Sequence, residues 1–311
     1  MGPKVFGNYE LLSLLGSGGM AEVFRARVRS GPMAGREVAL KRLLPELARD
    51  PEYIAQFTNE AALSRLLDHP NVVHVFEVGA QDDTWFMVME LVDGRDLGQV
   101  LRRCKARGIF LPLDFALFLG RTLLEALAQA HEAKGPDGHL LEIVHCDVSP
   151  SNLFISRTGE IKLGDFGVAR ARVHGGVGSA LHGKPYYVSP EVLRGEVTWE
   201  ADLWAATVTL YELITLERPF TGKTPEEVFD AVRERRFRPP SAIRPDVPAS
   251  LDAIIERGFS RERAERFRSA REFVEALDPL IDERIGTPLA IAAVIRGFFD
   301  APSGTFTRPG S

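Results

Sequence analysis

A short stretch of mixed chemistry, HCDVSPSN, occupies residues 145–152. Its first three residues are a histidine, a cysteine and an aspartate, a combination compatible with a thiol nucleophile or a metal site. Asp147 also precedes Asn152 by five residues, and that spacing is compatible with a base and a magnesium ligand on one loop. The remaining motifs of the chain discriminate between these interpretations.

The thiol and zinc interpretations find no support elsewhere in the sequence. A cysteine nucleophile needs a base on another element and an oxyanion hole, and no second motif supplies either. Zinc needs further cysteines and histidines at ligand spacing, but the chain has two cysteines and seven mostly scattered histidines. We therefore expect Cys146 to be neither a nucleophile nor a metal ligand.

A second carboxylate fits the magnesium interpretation. Asp165, in the sequence DFG, ends a predicted strand thirteen residues beyond Asn152. A carboxylate there can hold Mg²⁺ against the phosphates of a nucleotide, and Asn152 can add a neutral oxygen ligand. Asp147 then remains free to accept a hydroxyl proton. Oxygen ligands on two adjacent loops suit a hard cation.

A glycine cluster near the N-terminus could bind the phosphates. Residues 15–23 read LGSGGMAEV and lie between two predicted strands. Glycines without a Cβ let backbone amides approach phosphate oxygens, although glycine turns between strands are common. Lys41 follows at the end of an apolar strand, VALK, where its ammonium could reach the phosphates. Glu60, on the next predicted helix, could orient that ammonium by ion pairing.

Hydrophobic periodicity predicts two regions of different character. The first ninety residues alternate short β-like runs with turns, and they contain one predicted helix over 51–69. The apolar face of that helix comprises Ile54, Phe57, Ala61 and Leu66. From about residue 94 to 280 the pattern is helical, with helices predicted over 113–133, 200–215 and 250–260. A small strand-rich lobe therefore precedes a larger helical one.

Composition excludes several classes of protein. The net charge is −5, and the arginine clusters at 233–238 and 261–268 are interleaved with glutamate or apolar residues, so no nucleic-acid partner is expected. The N-terminus has no apolar signal core, and residues 288–295 are too few for a bilayer span of about 20 residues. We expect a cytoplasmic protein that does not contact membranes.

The motifs occur in an order that resembles the protein kinases. They are GSGGMAEV, VALK, Glu60, HCDVSPSN, DFG, SPE (189–191), DLW (202–204) and Arg266. The set is similar to the bacterial branch of eukaryotic-like (Hanks-type) serine/threonine protein kinases over residues 9–277. This resemblance implies a bilobal α+β fold with a β-rich N-lobe, a helical C-lobe and ATP in the cleft. The expected divisions are an N-terminal extension (1–8), the N-lobe and hinge (9–92), the C-lobe (93–280), and a C-terminal helix and tail (281–311).

The resemblance also implies roles for the matching residues, with ATP and Mg²⁺ (or Mn²⁺) as cofactors. Lys41, held by Glu60, would engage the α- and β-phosphates, and Asp147 would act as the base. Asn152 and Asp165 would hold the metal. The implied nucleotide contacts are Leu15, Gly16, Ser17, Gly18, Gly19, Val23, Ala39, Lys41, Met89 as gatekeeper, Glu90 and Val92 of the hinge, Asn152 and Asp165. Three further residues would be structural, with Glu191 pairing with Arg266 and Asp202 bracing the catalytic loop.

Cys146 departs from this family at a position where most members carry an arginine. That arginine usually pairs with a phosphate on the activation segment. Here the segment 168–188 offers only Ser179 as a central acceptor. We therefore expect activity to be independent of phosphorylation there, so that Ser179→Ala would retain it. Cys146 itself is either a small inert residue or a redox-sensitive one beside the base.

Ser149 departs at a position where the family has a lysine that contacts the γ-phosphate. In return, Lys184 stands where the family usually has a threonine that contacts that lysine and the catalytic aspartate. We interpret the pair as an exchange in which Lys184 supplies the missing catalytic cation. The alternative is a solvated loop lysine in a weak enzyme.

The expected function is transfer of the γ-phosphoryl group of ATP to serine or threonine hydroxyls of proteins. One alternative is a pseudokinase that binds nucleotide and acts as a scaffold, and another is a kinase for tyrosine or small molecules.

Without a membrane anchor or sensor domain in the sequence, regulation is expected through soluble partners. Residues 133–143 are expected to form a surface hairpin, and the helix near 288–299 to pack on the C-lobe. Thr305 and Thr307 are candidate autophosphorylation sites.

Overall fold

The computed structural model describes residues 4–166 and 184–299. An antiparallel sheet forms the N-terminal part and helices dominate the C-terminal part, so the predicted fold class is confirmed. Ser179, Thr305 and Thr307 lie outside the described residues.

The N-terminal part is a six-stranded sheet with the order β1-β2-β3-β4-β6-β5. All neighbouring strands pair antiparallel. The strands are β1 (Lys4–Phe6), β2 (Tyr9–Ser17), β3 (Ala21–Val28), β4 (Glu37–Leu43), β5 (Val75–Gln81) and β6 (Thr84–Glu90). Strand β1 was not expected from the sequence pattern, and it extends the sheet through pairing with the start of β2.

Helix α1 (Pro51–Ser64) packs on this sheet through its apolar face. Phe57 and Ala61 are fully buried in one cluster with apolar residues of β4 and β6. Asp50 caps the helix by accepting a hydrogen bond from the Glu52 amide, and Pro51 occupies the first position, where its missing N–H costs nothing.

The predicted continuation of α1 to residue 69 is wrong. The helix ends at Ser64, and Leu66, expected on its apolar face, is 52% exposed. Pro70 disfavours helical geometry at the residue before it. Beyond it, Asn71 donates to the Ile161 carbonyl at 2.9 Å, a contact with the C-terminal part that a continuing helix could not make.

The C-terminal part surrounds one long buried helix. Its helices are α2 (Leu97–Arg107), α3 (Leu113–His131), α4 (Trp199–Thr215), α5 (Pro225–Glu234), α6 (Ala249–Gly258), α7 (Ala270–Leu277) and α8 (Pro288–Phe299). In α4 every residue from Ala201 to Thr215 is buried. A helix that is apolar on all sides belongs in the centre of a domain, where its neighbours cover each face.

A small sheet brings the two acidic loops together. It consists of β7 (Gly94–Asp96), β8 (Leu153–Ser156) and β9 (Ile161–Leu163), with β8 in the middle. The loop that carries Asp147 and Asn152 enters β8, and Asp165 follows β9. Because β8 and β9 form an antiparallel pair, the start of one lies beside the end of the other.

Two peripheral segments lie where the sequence pattern predicts. Residues 133–141 turn back on themselves, with Leu141 N donating to the Ala133 carbonyl at 2.8 Å and an antiparallel bridge between Lys134 and Leu140. Helix α8 packs against α2, where Arg103 Nε donates to the Phe298 carbonyl at 3.2 Å. Among the helices of the described residues, none combines the length and apolar character needed to cross a bilayer.

A buried ion pair ties the segment after residue 184 to the helical core. The Arg266 guanidinium donates to both carboxylate oxygens of Glu191, at 2.7 and 3.0 Å, and both side chains are buried. Arg266 also donates to the Ser260 carbonyl and lies over the Trp204 ring. Burial alone would raise the pKa of Glu191, but the hydrogen bonds and charge of Arg266 hold that pKa below its usual value.

We predict that Arg266→Met lowers the free energy of unfolding by about 3–5 kcal/mol, because it leaves the Glu191 carboxylate buried without its cation. Urea unfolding followed by circular dichroism measures the change. The matched control is Arg284→Met, which removes an arginine that is 90% exposed and should leave stability nearly unchanged.

The same pair gives a pH dependence. Since the folded-state pKa of Glu191 is lowered, the pair stabilises the protein above the ordinary carboxyl value of 4.5, and this contribution is lost as the pH falls through the folded-state pKa. The stability difference between wild type and Arg266→Met should therefore shrink in acid. Equal stability of the two proteins at neutral pH would contradict this account of the ion pair.

Candidate active site

Lys41 lies at the centre of the interface between the two parts. On β4, it pairs in register with Met87 of β6, and its side chain is buried. The ammonium is 2.5 Å from Glu60 Oε1 and 3.2 Å from Asp165 Oδ1. Burial would lower the pKa of Lys41, but the two carboxylates outweigh it and raise that pKa. The lysine is therefore a fixed cation.

The two carboxylates reach Lys41 from opposite directions. Glu60 projects from α1, and Asp165 follows β9 of the C-terminal part. The Lys41 charge is the main reason that the pKa of Asp165 lies below its usual value. An ionised Asp165 beside a fixed ammonium is suited to bind a metal–phosphate complex.

Asp165 adopts a backbone conformation that few residues tolerate. Its φ is +58°, in the left-handed region, where aspartate is less unfavourable than most residues. The next residue stabilises this turn, because the Phe166 ring packs on His145 at a centroid distance of 4.5 Å and its carbonyl accepts from Ser64 at 3.2 Å. Phe166 thus joins helix α1, the turn at Asp165 and the loop of residues 145–152, which is called the catalytic loop below.

The catalytic loop is anchored to α4 through its backbone. The buried Asp202 carboxylate accepts from the amides of His145, at 2.7 Å, and Cys146, at 2.8 Å. His145 Nδ1 accepts from the Asp147 amide and its Nε2 donates to the Gly164 carbonyl, so the ring links the two acidic loops. These contacts fix the direction in which Asp147 leaves the loop.

Asn152 is oriented by the aspartate that it follows. Its side-chain amide donates to the Asp147 carbonyl at 2.8 Å and to Asp147 Oδ2 at 2.9 Å. With its nitrogen engaged in this way, Asn152 Oδ1 is the atom left for a metal. Among the described residues no group of three histidine, cysteine, aspartate or glutamate side chains could hold a metal by itself. Oxygen ligands such as those of Asn152 and Asp165 suit a hard cation.

Lys184 contacts the catalytic loop from a separate segment of the chain. Its ammonium lies 3.2 Å from Asp147 Oδ2 and donates to Ser149 Oγ at 2.7 Å. The lysine side chain is 30% exposed and that of Asp147 is 22% exposed, so both groups stay partly accessible. The role of Lys184 at this position stays a prediction.

The glycine loop leaves room for phosphates. A Cβ built on Gly16 or Gly19 would meet nothing within 4 Å, and one built on Gly18 would meet only the Ala21 carbonyl at 3.8 Å. The backbone of the β2–β3 turn is thus open to a ligand, as expected of a phosphate cradle. Leu15 and Ser17 of the same strand end are exposed.

The predicted nucleotide contacts outside the glycine loop lie along paired strands. Ala39 pairs in register with Met89, and Val23 with Lys41, so the predicted nucleotide contacts of β3, β4 and β6 are neighbours in one sheet. Val92 follows Glu90 at the crossing to the C-terminal part and is half-buried. The sheet therefore brings these residues together as predicted.

Two long-range contacts at this site were missed by sequence reasoning. Glu90 forms an ion pair with Lys162 of β9 at 2.6 Å, which links the hinge to the C-terminal part. His131, the last residue of α3, contacts Asp202 through Nε2 at 2.9 Å. The partners are separated by more than seventy residues, so no local pattern could have indicated either pair.

The two cysteines differ in environment. Cys104 is fully buried in α2, and burial raises the pKa of its thiol to about 12. Cys146 is half-buried, and its φ of +59° places it in the left-handed region. Its backbone amide donates to Asp202 Oδ1 at 2.8 Å.

The fold and the arrangement of these residues are those expected of a protein kinase domain. A family model for the protein kinase domain matches residues 9–276, and the chain belongs to this family. Among curated proteins it is 34% identical over 302 residues to the tyrosine-protein kinase MasK of Myxococcus xanthus, covering 94% of this chain and 46% of the relative.

Further similarities lie among bacterial serine/threonine kinases. The chain is 34% identical over 277 residues to the serine/threonine-protein kinase PrkC of Bacillus subtilis, covering 88% of this chain and 40% of that protein. The solved PknI kinase domain of Mycobacterium tuberculosis superposes with a TM-score of 0.67 at 28% identity, covering 89% of this chain and 97% of that one. The chain spans less than half the length of the curated relatives that it matches.

We predict that Cys146→Ser keeps activity within about twofold of wild type, because the replacement is nearly isosteric and preserves the backbone contact with Asp202. Loss of activity in Cys146→Ser would instead assign the thiol a direct role.

Native alkylation at pH 8 followed by mass spectrometry should leave Cys104 unmodified, since its pKa of about 12 leaves little thiolate.

Proposed function

We propose that this chain is an active protein kinase that uses ATP and Mg²⁺ to phosphorylate serine or threonine hydroxyls of proteins in bacterial signalling. The observation that carries the proposal is the presence of two positioned cations. Lys41 is held by Glu60 and Asp165, and Lys184 lies beside Asp147. A pseudokinase has no need of a second cation at the base.

The nucleotide side of the proposed mechanism is electrostatic positioning. Lys41 binds the α- and β-phosphates, and Glu60 prevents the ammonium from moving away. Asn152 and Asp165 would hold Mg²⁺, which would supply neutralisation of the phosphate charge. The lobe boundary near residues 92 and 93 belongs to the same proposal, with the nucleotide between the lobes.

The acceptor side depends on Asp147 and Lys184. Asp147 orients the acceptor hydroxyl and accepts its proton. Asn152 donates to its carboxylate, and His145 accepts from its backbone amide. Lys184 brings positive charge to the side of the carboxylate where the transferred phosphoryl group arrives. Ser149 accepts a hydrogen bond from Lys184 and fixes the ammonium.

The exchange of the two side chains therefore preserves a cation at the base. In the arrangement usual for the family, the lysine belongs to the catalytic loop and the hydroxyl to the facing segment. Here the hydroxyl of Ser149 belongs to the loop and the ammonium of Lys184 to the segment, and the two still meet at 2.7 Å. What transfer requires is the position of the charge, and either chain segment can supply it.

Tyrosine is the second candidate acceptor. Two observations favour testing it, namely that one relative at 34% identity is named a tyrosine-protein kinase, and that Lys184 replaces the threonine usual in serine/threonine kinases. The serine/threonine names of the other relatives support the first candidate.

Cytoplasmic location and control by soluble partners also belong to the proposal, as does independence from phosphorylation at Ser179.

We predict that the chain incorporates ³²P from γ-labelled ATP in the presence of Mg²⁺, into itself or a generic protein acceptor. Asp147→Asn should lower the rate by about 10²–10⁴-fold, because it removes the proton acceptor. Phosphoamino-acid analysis then reports serine and threonine or, for the second candidate, tyrosine.

The control for this assay is ATP binding, measured by isothermal titration with the non-hydrolysable analogue AMP-PNP. Asp147→Asn should bind the analogue as wild type does, since Lys41 and Asp165 are unchanged. Wild-type protein that binds AMP-PNP but transfers no phosphate would contradict the proposal and favour the pseudokinase.

The exchange is tested by reversing it. We predict that Lys184→Thr lowers kcat by about 10²-fold because it removes charge stabilisation of the transition state. Combining it with Ser149→Lys should recover a large part of that loss, since the ammonium is then supplied from the catalytic loop. A double-mutant cycle over kcat measures the coupling between the two positions.

Lys223→Met serves as the matched control for loss of a lysine, because Lys223 is an exposed residue before α5. It should retain wild-type kcat. Equal activity of wild type and Lys184→Thr would show that Lys184 is a bystander. Loss of activity without any recovery in the double variant would show that the segment and the loop are not interchangeable.

A further inference from the structure

A small pocket lies where the C-terminal half of α8 meets the sheet of β7 and β8. Arg95 of β7 and Arg157, which follows β8, form one side, and Arg296 and Phe299 of α8 form the other. None of the lining residues belongs to the candidate active site. The pocket volume is about 200 Å³, less than the roughly 300–1,000 Å³ of sites for drug-sized ligands. The occupant that fits is therefore one small chemical group.

Both sides of the pocket are fixed by packing. Near its end, α8 is attached to α2, because Arg103 Nε donates to the Phe298 carbonyl at 3.2 Å. At its start, α8 lies against the turn between β8 and β9, where a Cβ added to Gly159 would come within 2.0 Å of the Pro288 carbonyl oxygen. A pocket with fixed walls loses little conformational entropy when a ligand binds.

The pocket is strongly cationic. Within residues 4–166 and 184–299, no carboxylate lies within ion-pair distance of Arg95 or Arg296, and the Arg95 guanidinium lies over the Phe299 ring at 5.2 Å. Arg157 is 3.8 Å from Asp93, whose carboxylate a second arginine shares at 3.7 Å. All three arginines of the pocket are exposed, so a ligand can reach their guanidinium groups. This local charge contrasts with the net charge of −5 of the chain.

Three guanidinium groups around a small volume favour a phosphoryl group as the ligand. Guanidinium donors bind phosphate and carboxylate oxygens in pairs, through charge-assisted hydrogen bonds. A phosphate monoester carries about −1.5 to −2 charges near neutral pH, compared with −1 for a carboxylate, and it offers three acceptor oxygens. The monoester therefore matches the charge of the pocket better than a carboxylate does.

The segment of residues 300–311, called the tail below, can supply such a group. It follows Phe299, which lines the pocket, and Thr305 is six residues further along the chain. Six extended residues span up to about 20 Å, enough to turn back to the pocket. Thr307 directly precedes Arg308, which would compete for its phosphate, and Ser303 directly follows a proline, which restricts the backbone. Thr305 has neither handicap.

We propose that the pocket of Arg95, Arg157 and Arg296 binds a phosphoryl group, and that its occupant is the phosphorylated Thr305 of the same chain. Phosphorylation joins Thr305 Oγ1 to the γ-phosphorus of ATP as the bond to the β-phosphate oxygen breaks, ADP leaves, and the hydroxyl proton passes to a carboxylate base. This transfer rests on the proposed function, whereas binding by the pocket does not. Docking of the tail fastens α8 to β7.

The binding test uses a fluorescent synthetic peptide of residues 300–311 with phosphothreonine at position 305. The protein is the full chain, treated with a phosphatase that is then removed. Fluorescence anisotropy should give a Kd of about 0.1 mM or tighter. The unphosphorylated peptide, and peptides phosphorylated at Ser303 or Thr307 instead, should bind about tenfold more weakly or less. Inorganic phosphate should displace the phosphopeptide only at a concentration well above the peptide Kd.

Two variants locate the binding. Arg296→Met and Arg157→Met should each weaken binding of the phosphopeptide about tenfold, because each removes charge-assisted hydrogen bonds. Both arginines are exposed, so the fold should be retained, and circular dichroism checks it. If one variant misfolds, the other gives the result. Arg233→Met removes the same charge from an arginine of α5 that is 57% exposed, and it should bind as wild type does.

Occupation by the tail of the same chain is tested with full-length protein that carries phosphothreonine at position 305, incorporated during translation. This protein should bind the labelled phosphopeptide about tenfold more weakly than the unmodified chain, because its own tail competes at a high effective concentration. Hydrogen exchange in residues 288–299 should be slower than in the unmodified chain. Its sedimentation coefficient should equal that of the unmodified chain.

Every outcome supports or overturns a stated part of the inference. Equal binding of phosphorylated and unphosphorylated peptides, or binding unaffected by both pocket variants, overturns the site. Inorganic phosphate that binds as tightly as the phosphopeptide, or a peptide phosphorylated at another residue that binds equally well, overturns Thr305 as the occupant. Unweakened peptide binding by the modified chain, or a stable dimer of it, overturns docking within one chain.

The same experiments separate this inference from the proposed function. A chain that transfers no phosphate but binds the synthetic phosphopeptide through the pocket refutes the proposed function and leaves the site intact. An active kinase that does not bind the phosphopeptide refutes the site alone.

Discussion

The Asp202 carboxylate is the contact on which the geometry of the catalytic loop depends. It projects from α4, whose buried surroundings prevent it from moving, and it accepts from two successive amides of the loop. One of these belongs to Cys146, whose φ of +59° is unfavourable for any residue with a side chain. Two charge-assisted hydrogen bonds offset that local strain. The position of Asp147 follows from this arrangement.

Charges in the site are paired across elements that are distant in sequence. Lys41 from the sheet is held by Glu60 of α1 and by Asp165 after β9, and Lys184 contacts Asp147 from a separate segment. Because each cation stands beside a carboxylate, neither is buried without compensation. The same pairing keeps the sheet, α1 and the two acidic loops in one geometry, so the electrostatics and the relative placement of these elements have a common origin.

Hydrophobic periodicity predicted a strand-rich and a helical region, and the resemblance to protein kinases predicted the fold class and the proximity of Lys184 to Asp147. The contact of Lys41 with Glu60 was predicted from their positions on a strand and the following helix. The catalytic roles of these residues stay predictions. Periodicity could not define the end of α1, because Leu66 continues the apolar pattern although the chain has already turned toward Asn71 and its contact with β9. The contacts between Glu90 and Lys162 and between His131 and Asp202 depend on tertiary placement alone.

His131 extends the Asp202 network beyond the active site. A histidine whose Nε2 donates to a buried carboxylate has only Nδ1 left for another partner, so the ring transmits a contact on one side to the other. The Asp202 carboxylate therefore accepts three hydrogen bonds, two from the amides of the loop and one from His131. Because these donors belong to the loop and to α3, the position of Asp202 on α4 fixes the loop relative to both helices.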